Sequence, residues 1–239
     1  MVFHSLLAQN IPGIEETGII YKQFHQGGIT FHTSGWGLHY RRGKQLNFRK
    51  SLLFEGALMS MKDPKEVKSV NPITESMLGF KYGQLNAMFI VHTGIGRQKI
   101  IFPKGDIGGV EIALGYYGGV SWGMLKPVYL NILHFSDEMG TNEQVERYDP
   151  AKHFPDNIAG RASFFRGIEQ TTFHPGIYGS LMVNFEFGRN QVYQRMLETG
   201  VSADIFPSEM RIMADELPAR KVFFTFFVRL LLGKKWNRK

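Results

Sequence analysis

Cysteine is absent from the 239-residue sequence, which excludes disulfide bonds, thiolate zinc sites and cysteine nucleophiles. Nor is there an unbroken apolar run of about 18 residues, the length that a membrane helix needs, so no helix is expected to cross a bilayer. Acidic residues are the minority: 21 Asp and Glu against 28 Lys and Arg leave a formal charge of +7, an excess that favours anionic partners such as lipid phosphates. The basic residues are scattered singly, with no helix or loop that concentrates them, so no nucleic-acid partner is expected. His39, His92, His134, His153 and His174 form no His-x-His or His-x3-His spacing beside a carboxylate, and no metal site is indicated. Gly94-Ile95-Gly96 opens a Gly-x-Gly pattern that no βαβ unit follows, and no cofactor is expected.

What the chain does have is alternation. Aromatics are 13%, glycines number 27 and hydrophobics reach 43%, while mean hydropathy is only −0.17. Apolar residues are therefore dispersed among polar ones at the two-residue period of a strand. Residues 221–236 are the clearest case. One face carries Val222, Phe224, Phe226, Val228, Leu230, Leu232 and Trp236, and the other Phe223, Thr225, Phe227, Arg229, Leu231 and Gly233. An apolar outward face closing on a basic, aromatic end is the pattern of the last strand of a transmembrane β-barrel. Residues 173–187 alternate likewise, with Phe185 on the apolar side. So do residues 109–134, expected as one long kinked strand, where Trp122 shares a parity broken only by Lys126.

Further strands are expected over residues 19–33, 36–44, 50–61, 81–98 and 197–205, each bounded by Gly, Asn or Pro. The expected fold is all-β: a transmembrane antiparallel up-and-down barrel of eight strands, with ten as the alternative if Gly118-Gly119 is a turn. Residues 1–16 read as a tail or signal-peptide remnant, 17–236 as a single barrel domain and 237–239 as a basic tail. Three long connections, 62–79, 135–170 and 207–220, separate the strands, and parity does not place them all at one end. The second is polar enough to cap the barrel, with a short helix expected at 142–148. Arginine in place of Phe226 is expected to disturb insertion, and in place of Thr225 to be borne better.

The inward parities carry Glu55, Glu111, Glu186, Glu198, Asp204, Arg41 and Arg229. Unpaired charges in a narrow barrel would cost several kcal/mol each, so these residues are expected to pair and to plug the lumen. The small residues Gly94, Gly96, Gly115, Gly123, Ser180 and Ser202 share that side. A plugged barrel points to a structural or accessory subunit rather than a channel. The competing reading is an esterase. His32 and Ser34 face the same way on a strand, as base and nucleophile need, and their His-x-Ser spacing resembles the dyad of outer-membrane lipid A deacylases, with Glu55 or Glu111 as third member.

Several short motifs carry a wider resemblance. Phe31-His32-Thr33-Ser34-Gly35-Trp36-Gly37, Tyr82-Gly83-Gln84-Leu85-Asn86, Gly96-Arg97-Gln98, Gly108-Gly109-Val110-Glu111, Leu125-Lys126-Pro127-Val128-Tyr129-Leu130, His174-Pro175-Gly176 and Gly233-Lys234-Lys235-Trp236 together resemble small outer-membrane β-barrel proteins of Bacteroidota-type Gram-negative bacteria. The resemblance implies an outer-membrane location, contact with its lipids, lipopolysaccharide included, and other envelope proteins as partners. It brings no catalytic residue with it.

Overall fold

A computed structural model describes residues 22–71, 79–105, 109–136, 140–188, 192–214 and 219–236. The expected tails 1–16 and 237–239 lie outside the described residues. In chain order the strands are β1 (Gln23–His32), β2 (Gly35–Asn47), β3 (Lys50–Met61), β4 (Lys68–Ser69), β5 (Phe80–Lys81), β6 (Asn86–Phe102), β7 (Glu111–Pro127), β8 (Tyr129–Ser136), β9 (Gly140–Arg147), β10 (Ile158–Arg161), β11 (Thr172–Phe187), β12 (Tyr193–Met210) and β13 (Arg220–Trp236). Eight of them close into an antiparallel barrel in the order β1-β13-β12-β11-β7-β6-β3-β2. Each barrel strand thus pairs with its predecessor and successor, and β13 closes onto β1. Closure leaves no edge strand, so that the ladders run from neighbour to neighbour all round the wall, the condition for a sheet in hydrocarbon. Gly118 and Gly119 lie within β7 and pair with Gly179, Tyr178 and β6 neighbours, so the strand count is eight.

The wall resolves the question of ends. β1–β2 turns through Thr33-Ser34, and Gly35 after it has φ 149° and approaches the Ser60 carbonyl too closely for a Cβ. This turn shares one end, the loop end, with the finishes of β3, β7 and β12 and the starts of β6, β11 and β13, the strands that the three long connections join. The opposite, turn end holds residues 48–49, the finishes of β6 and β11 and the starts of β7 and β12, together with the start of β1 and the finish of β13. The connections interlock: Leu85 N–H and Asn86 N–H donate to the Ile212 carbonyl at 2.9 and 3.2 Å, Asn71 Nδ2 donates to the Ile158 carbonyl at 2.9 Å, and Arg220 pairs with Asp63 at 3.4 Å.

Two local expectations are corrected. Residues 142–147 belong to strand β9, not to a helix: they pair along β8, Ile132 opposite Gln144 and Leu130 opposite Glu146, in a three-stranded cap sheet β10-β8-β9. β8 also turns Leu130 and Ile132 onto Phe80, Tyr148 and Ile158, a small core of the cap's own, and that burial holds the segment extended. Among the described residues the helical structure is a single 3₁₀ turn, Ile168–Gln170. Nor is 109–134 one kinked strand. Pro127 lacks an amide to continue the ladder, and Val128 leaves the barrel, its N–H donating to the Leu85 carbonyl at 3.0 Å.

Side chains sort by parity around the wall. Ile29, Leu38, Phe54, Leu58, Ile95, Leu114, Val120, Ile177, Leu181 and Ile205 are exposed outward. So are Phe224, Phe226, Val228, Leu230 and Trp122, while Phe185 is half-buried on the same face. A continuous apolar belt of this extent is the face that a transmembrane barrel turns to lipid. The inward side is filled. Toward the loop end Met61, Met88, Ile90, Leu125, Phe206 and Phe223 make an apolar plug, and deeper in Phe24, Leu53, Tyr117, Tyr178 and Phe227 pack together. Inward glycines make room for these rings: a Cβ on Gly94 would collide with the Tyr178 hydroxyl.

A filled lumen changes the expectation for Thr225, which is 1% exposed with its hydroxyl 2.7 Å from that of Ser202. Arginine has no room there and would overpack the interior. The outward test site also moves. The Phe226 carbonyl accepts the Thr33 N–H at the β1–β2 turn, 3.0 Å away, and so lies near the loop end of the wall. Leu230, between Ile29 and Leu197, is nearer mid-height. Leu230→Arg is expected to weaken folding into lipid by roughly 2–4 kcal/mol, the range for a basic residue at the midplane, in urea titrations of liposome-embedded protein. Thr225→Arg should be at least as harmful.

Candidate functional site

The barrel brings four of the inward charges into one cluster. Arg41 on β2 is fully buried and donates from Nη1 to Glu198 Oε2 on β12 at 2.5 Å. It also donates from Nη1 to the Tyr117 hydroxyl at 3.2 Å, from Nη2 to Asn184 Oδ1 at 3.3 Å and from Nε to Gln26. Arg229 on β13 donates from Nη1 to Glu198 Oε1 at 2.8 Å and lies 3.8 Å from Glu55 Oε2, its guanidinium over the Phe227 ring at 4.0 Å. Glu55 accepts the Tyr178 hydroxyl. Two cations and two anions thus cancel within one buried cluster, whose hydrogen bonds join seven barrel strands.

The remaining inward carboxylates stand apart from it. Asp204 accepts from Ser121 and faces His92 Nε2 at 2.6 Å, while the His92 ring stacks on Tyr178 with centroids 4.0 Å apart. Glu186 sits at the turn end, 3.1 Å from both Lys104 and Lys235, and accepts from Gln194 Nε2 at 2.6 Å. Glu111 is its register partner there. His92, Ser121, Tyr117, Tyr178, Gln26 and Asn184 complete these clusters. Their inward parity was readable, but their pairings cross the lumen between strands far apart in sequence.

No catalytic constellation assembles from the expected residues. Both ring nitrogens of His32 are buried without a hydrogen-bond partner, so Ser34 Oγ is not bonded to the imidazole. Ser34 lies in the turn, its carbonyl accepting the Lys62 N–H at 2.7 Å. Glu111 opens β7 at the turn end, a full strand away, and Glu55 is spent on Tyr178 and Arg229. Ser121, Asp204 and His92 are the right residue types in the wrong order: the carboxylate stands between serine and imidazole, which cannot then receive the serine proton. At the loop end His174 Nδ1 is 2.8 Å from Ser208 Oγ, but its other nitrogen faces Thr172 Oγ1 at 3.1 Å rather than a carboxylate. Among the described residues no group of three His, Asp or Glu side chains converges on a metal position.

Outside the wall, the turn end carries a cationic row. Arg42 on β2 pairs with His25 on β1, His25 with Lys234 on β13, and Lys234 with Tyr193 on β12. Arg42 lies over the Trp236 ring at 5.8 Å and Lys234 over Tyr193 at 5.7 Å. Lys50 and Lys99, both exposed, stand directly opposite one another. Like charges so placed repel unless anions lie between them. At the loop end, Glu146 sits 2.6 Å from His134 and 3.1 Å from His153. The hydrogen bond with His134 is the main cause holding its carboxyl below the usual carboxylate range.

No protein-family model and no curated protein sequence matches the chain. Among solved structures it is similar to Neisserial surface protein A, at 8% identity over 90% of this chain and 95% of that one with a TM-score of 0.45. The attachment invasion locus protein Ail of Yersinia pestis matches at 8% identity over 90% and 97% of the two chains, TM-score 0.42. The outer membrane protein OprG of Pseudomonas aeruginosa matches at 11% over 91% and 97%, TM-score 0.37.

Removing one member of the neutral cluster strands its partners in the interior. Arg41→Met leaves Glu198 and Glu55 facing Arg229 alone and is expected to destabilise the barrel by about 3–5 kcal/mol. Arg41→Met with Glu198→Met removes one charge of each sign and should recover most of that loss. Urea titrations of both variants in the same liposomes measure it; additive destabilisation would contradict the pairing.

Proposed function

We propose that the chain is an outer-membrane β-barrel of a Gram-negative envelope that works as a structural or accessory subunit through its surfaces, without conduction or catalysis. The observation that carries this reading is the lumen, packed by the Arg41–Glu198–Arg229–Glu55 cluster and by the apolar plug beyond it. Eight strands leave an interior that side chains alone can fill, and here they do. Function is then left to the lipid-facing wall and the two ends.

The surfaces support the same reading. The cationic, aromatic row at the turn end suits the phosphates of a leaflet, with tryptophan and tyrosine at the interface. The cap is an ordered sheet with its own core rather than a loose loop, and it presents exposed Val145 and Phe154 to solvent. Envelope proteins that meet the barrel would dock there. Crosslinking at native expression, followed by affinity purification and mass spectrometry, tests this. The expected result is a reproducible set of envelope proteins that Val145→Ser with Phe154→Ser depletes about tenfold, the loss of roughly 1.4 kcal/mol of contact, while heat-modifiable gel migration is kept. Recovery of the barrel alone from wild-type cells would contradict the accessory role.

A further inference from the structure

The loop end carries a cleft of about 690 Å³ at the rim of the barrel wall, bordered by outward Ser60, Phe89 and Lys126 and by inward Met61 and Met88, with β5 and residues 161–164 above. We infer that this cleft binds the phosphorylated headgroup of a membrane lipid, with the acyl chains lying down the wall beneath it. The inference rests on the membrane reading given above and assigns a ligand class to one place on that surface.

Charge is the first ground. Lys62, Lys68, Lys81, Lys126 and Arg161 line the cleft, and no Asp or Glu is among the described lining residues. Lys81 is matched by Glu66; among the described residues no carboxylate pairs with Lys62, Lys68, Lys126 or Arg161. Lys126 is the informative member. It projects from β7 on the outward parity, where Leu114, Tyr116, Val120 and Trp122 are apolar and exposed, yet it is itself only 6% exposed because residues 163–166 fold down over it. Its ammonium donates to the carbonyls of Pro127 at 3.3 Å and Arg166 at 3.2 Å and sits 5.2 Å from the Phe164 ring. All three are neutral acceptors. Glu169 acts on this ammonium only through space, and no carboxylate among the described residues bonds to it. A buried cation without a bonded counter-ion is costly, and a phosphate in the adjoining cleft would compensate it with charge-assisted hydrogen bonds.

Shape and polarity are the second ground. Ser60, Phe89 and Met124 form one outward register row under the cleft, and Leu58, Val91 and Trp122 the next. Cations above and an apolar track below match an amphiphile. A free phosphate would use the upper half alone. The height agrees as well: the cleft sits where the belt meets the cap, the level of lipid headgroups.

The test uses the full-length purified barrel in detergent, offered diphosphoryl lipid A, the same lipid stripped of its phosphates, or inorganic phosphate, with retained ligand counted by native mass spectrometry. Retention of the diphosphoryl lipid is expected to exceed that of the stripped lipid by about tenfold or more. Lys62→Gln with Lys126→Gln should abolish that preference, while Arg195→Gln at the turn end leaves it unchanged. Should the first variant fail to fold, Lys68→Gln with Arg161→Gln, which the wall does not bury, takes its place. Equal retention of the stripped lipid, indifference to the cleft substitutions, or displacement of the lipid by equimolar inorganic phosphate would each overturn the proposal. Heat-modifiable migration separates the two readings. A barrel that folds in bilayers but shows no phosphate preference removes the cleft alone, and a chain that stays monomeric in buffer without detergent removes the membrane reading beneath it.

Discussion

Two arginines and two glutamates, held in the middle of the cylinder, are the constraint on which the rest of the molecule depends. Arg41 and Arg229 converge on the two oxygens of Glu198, and Glu55 closes the set with Tyr178. None of the four tolerates solitude in that interior, so the strands that carry them must meet in one register. A slip by one residue would turn every one of these charges into lipid and every belt residue into the lumen. The cluster therefore specifies the wall, and it fills the middle of the lumen, the basis of the proposed sealed barrel.

The outer face follows from the same alternation. Because inward side chains fill the lumen, bulk that does not fit inside is carried outside, where lipid sets no limit on size. Glycines on the inward parity mark the complementary economy: Gly94 lies under Tyr178 and Gly96 under Tyr117. The one charged residue on the outward parity of β7, Lys126, is covered by residues 163–166, and that covering builds the wall of the loop-end cleft. A departure from the pattern thus coincides with the site to which a ligand is assigned, where local rules are expected to yield to function.

Much of this was legible in the chain itself. The parity of residues 221–236, the bounds of β3, the eight-strand count and the inward placement of Arg41, Glu55, Glu198 and Arg229 follow from a period of two, a signal that survives without knowledge of partners. What failed to read through depended on partners. Residues 142–147 look helical by composition but are extended because β8 offers them a ladder and a core. Thr225 looks tolerant until Ser202 and the filled lumen are known. His32 and Ser34 have catalytic spacing, yet the turn separates their groups. His92, Ser121 and Asp204 meet only because β6, β7 and β12 face each other across the cylinder.

The central claim is that buried side chains seal this barrel, and electrical recording tests it most directly. Purified protein reconstituted into planar bilayers in molar potassium chloride should give no reproducible single-channel steps at voltages that leave the bilayer intact. Stable ohmic steps of uniform size from the folded, heat-modifiable form would mean an open lumen and would contradict the account.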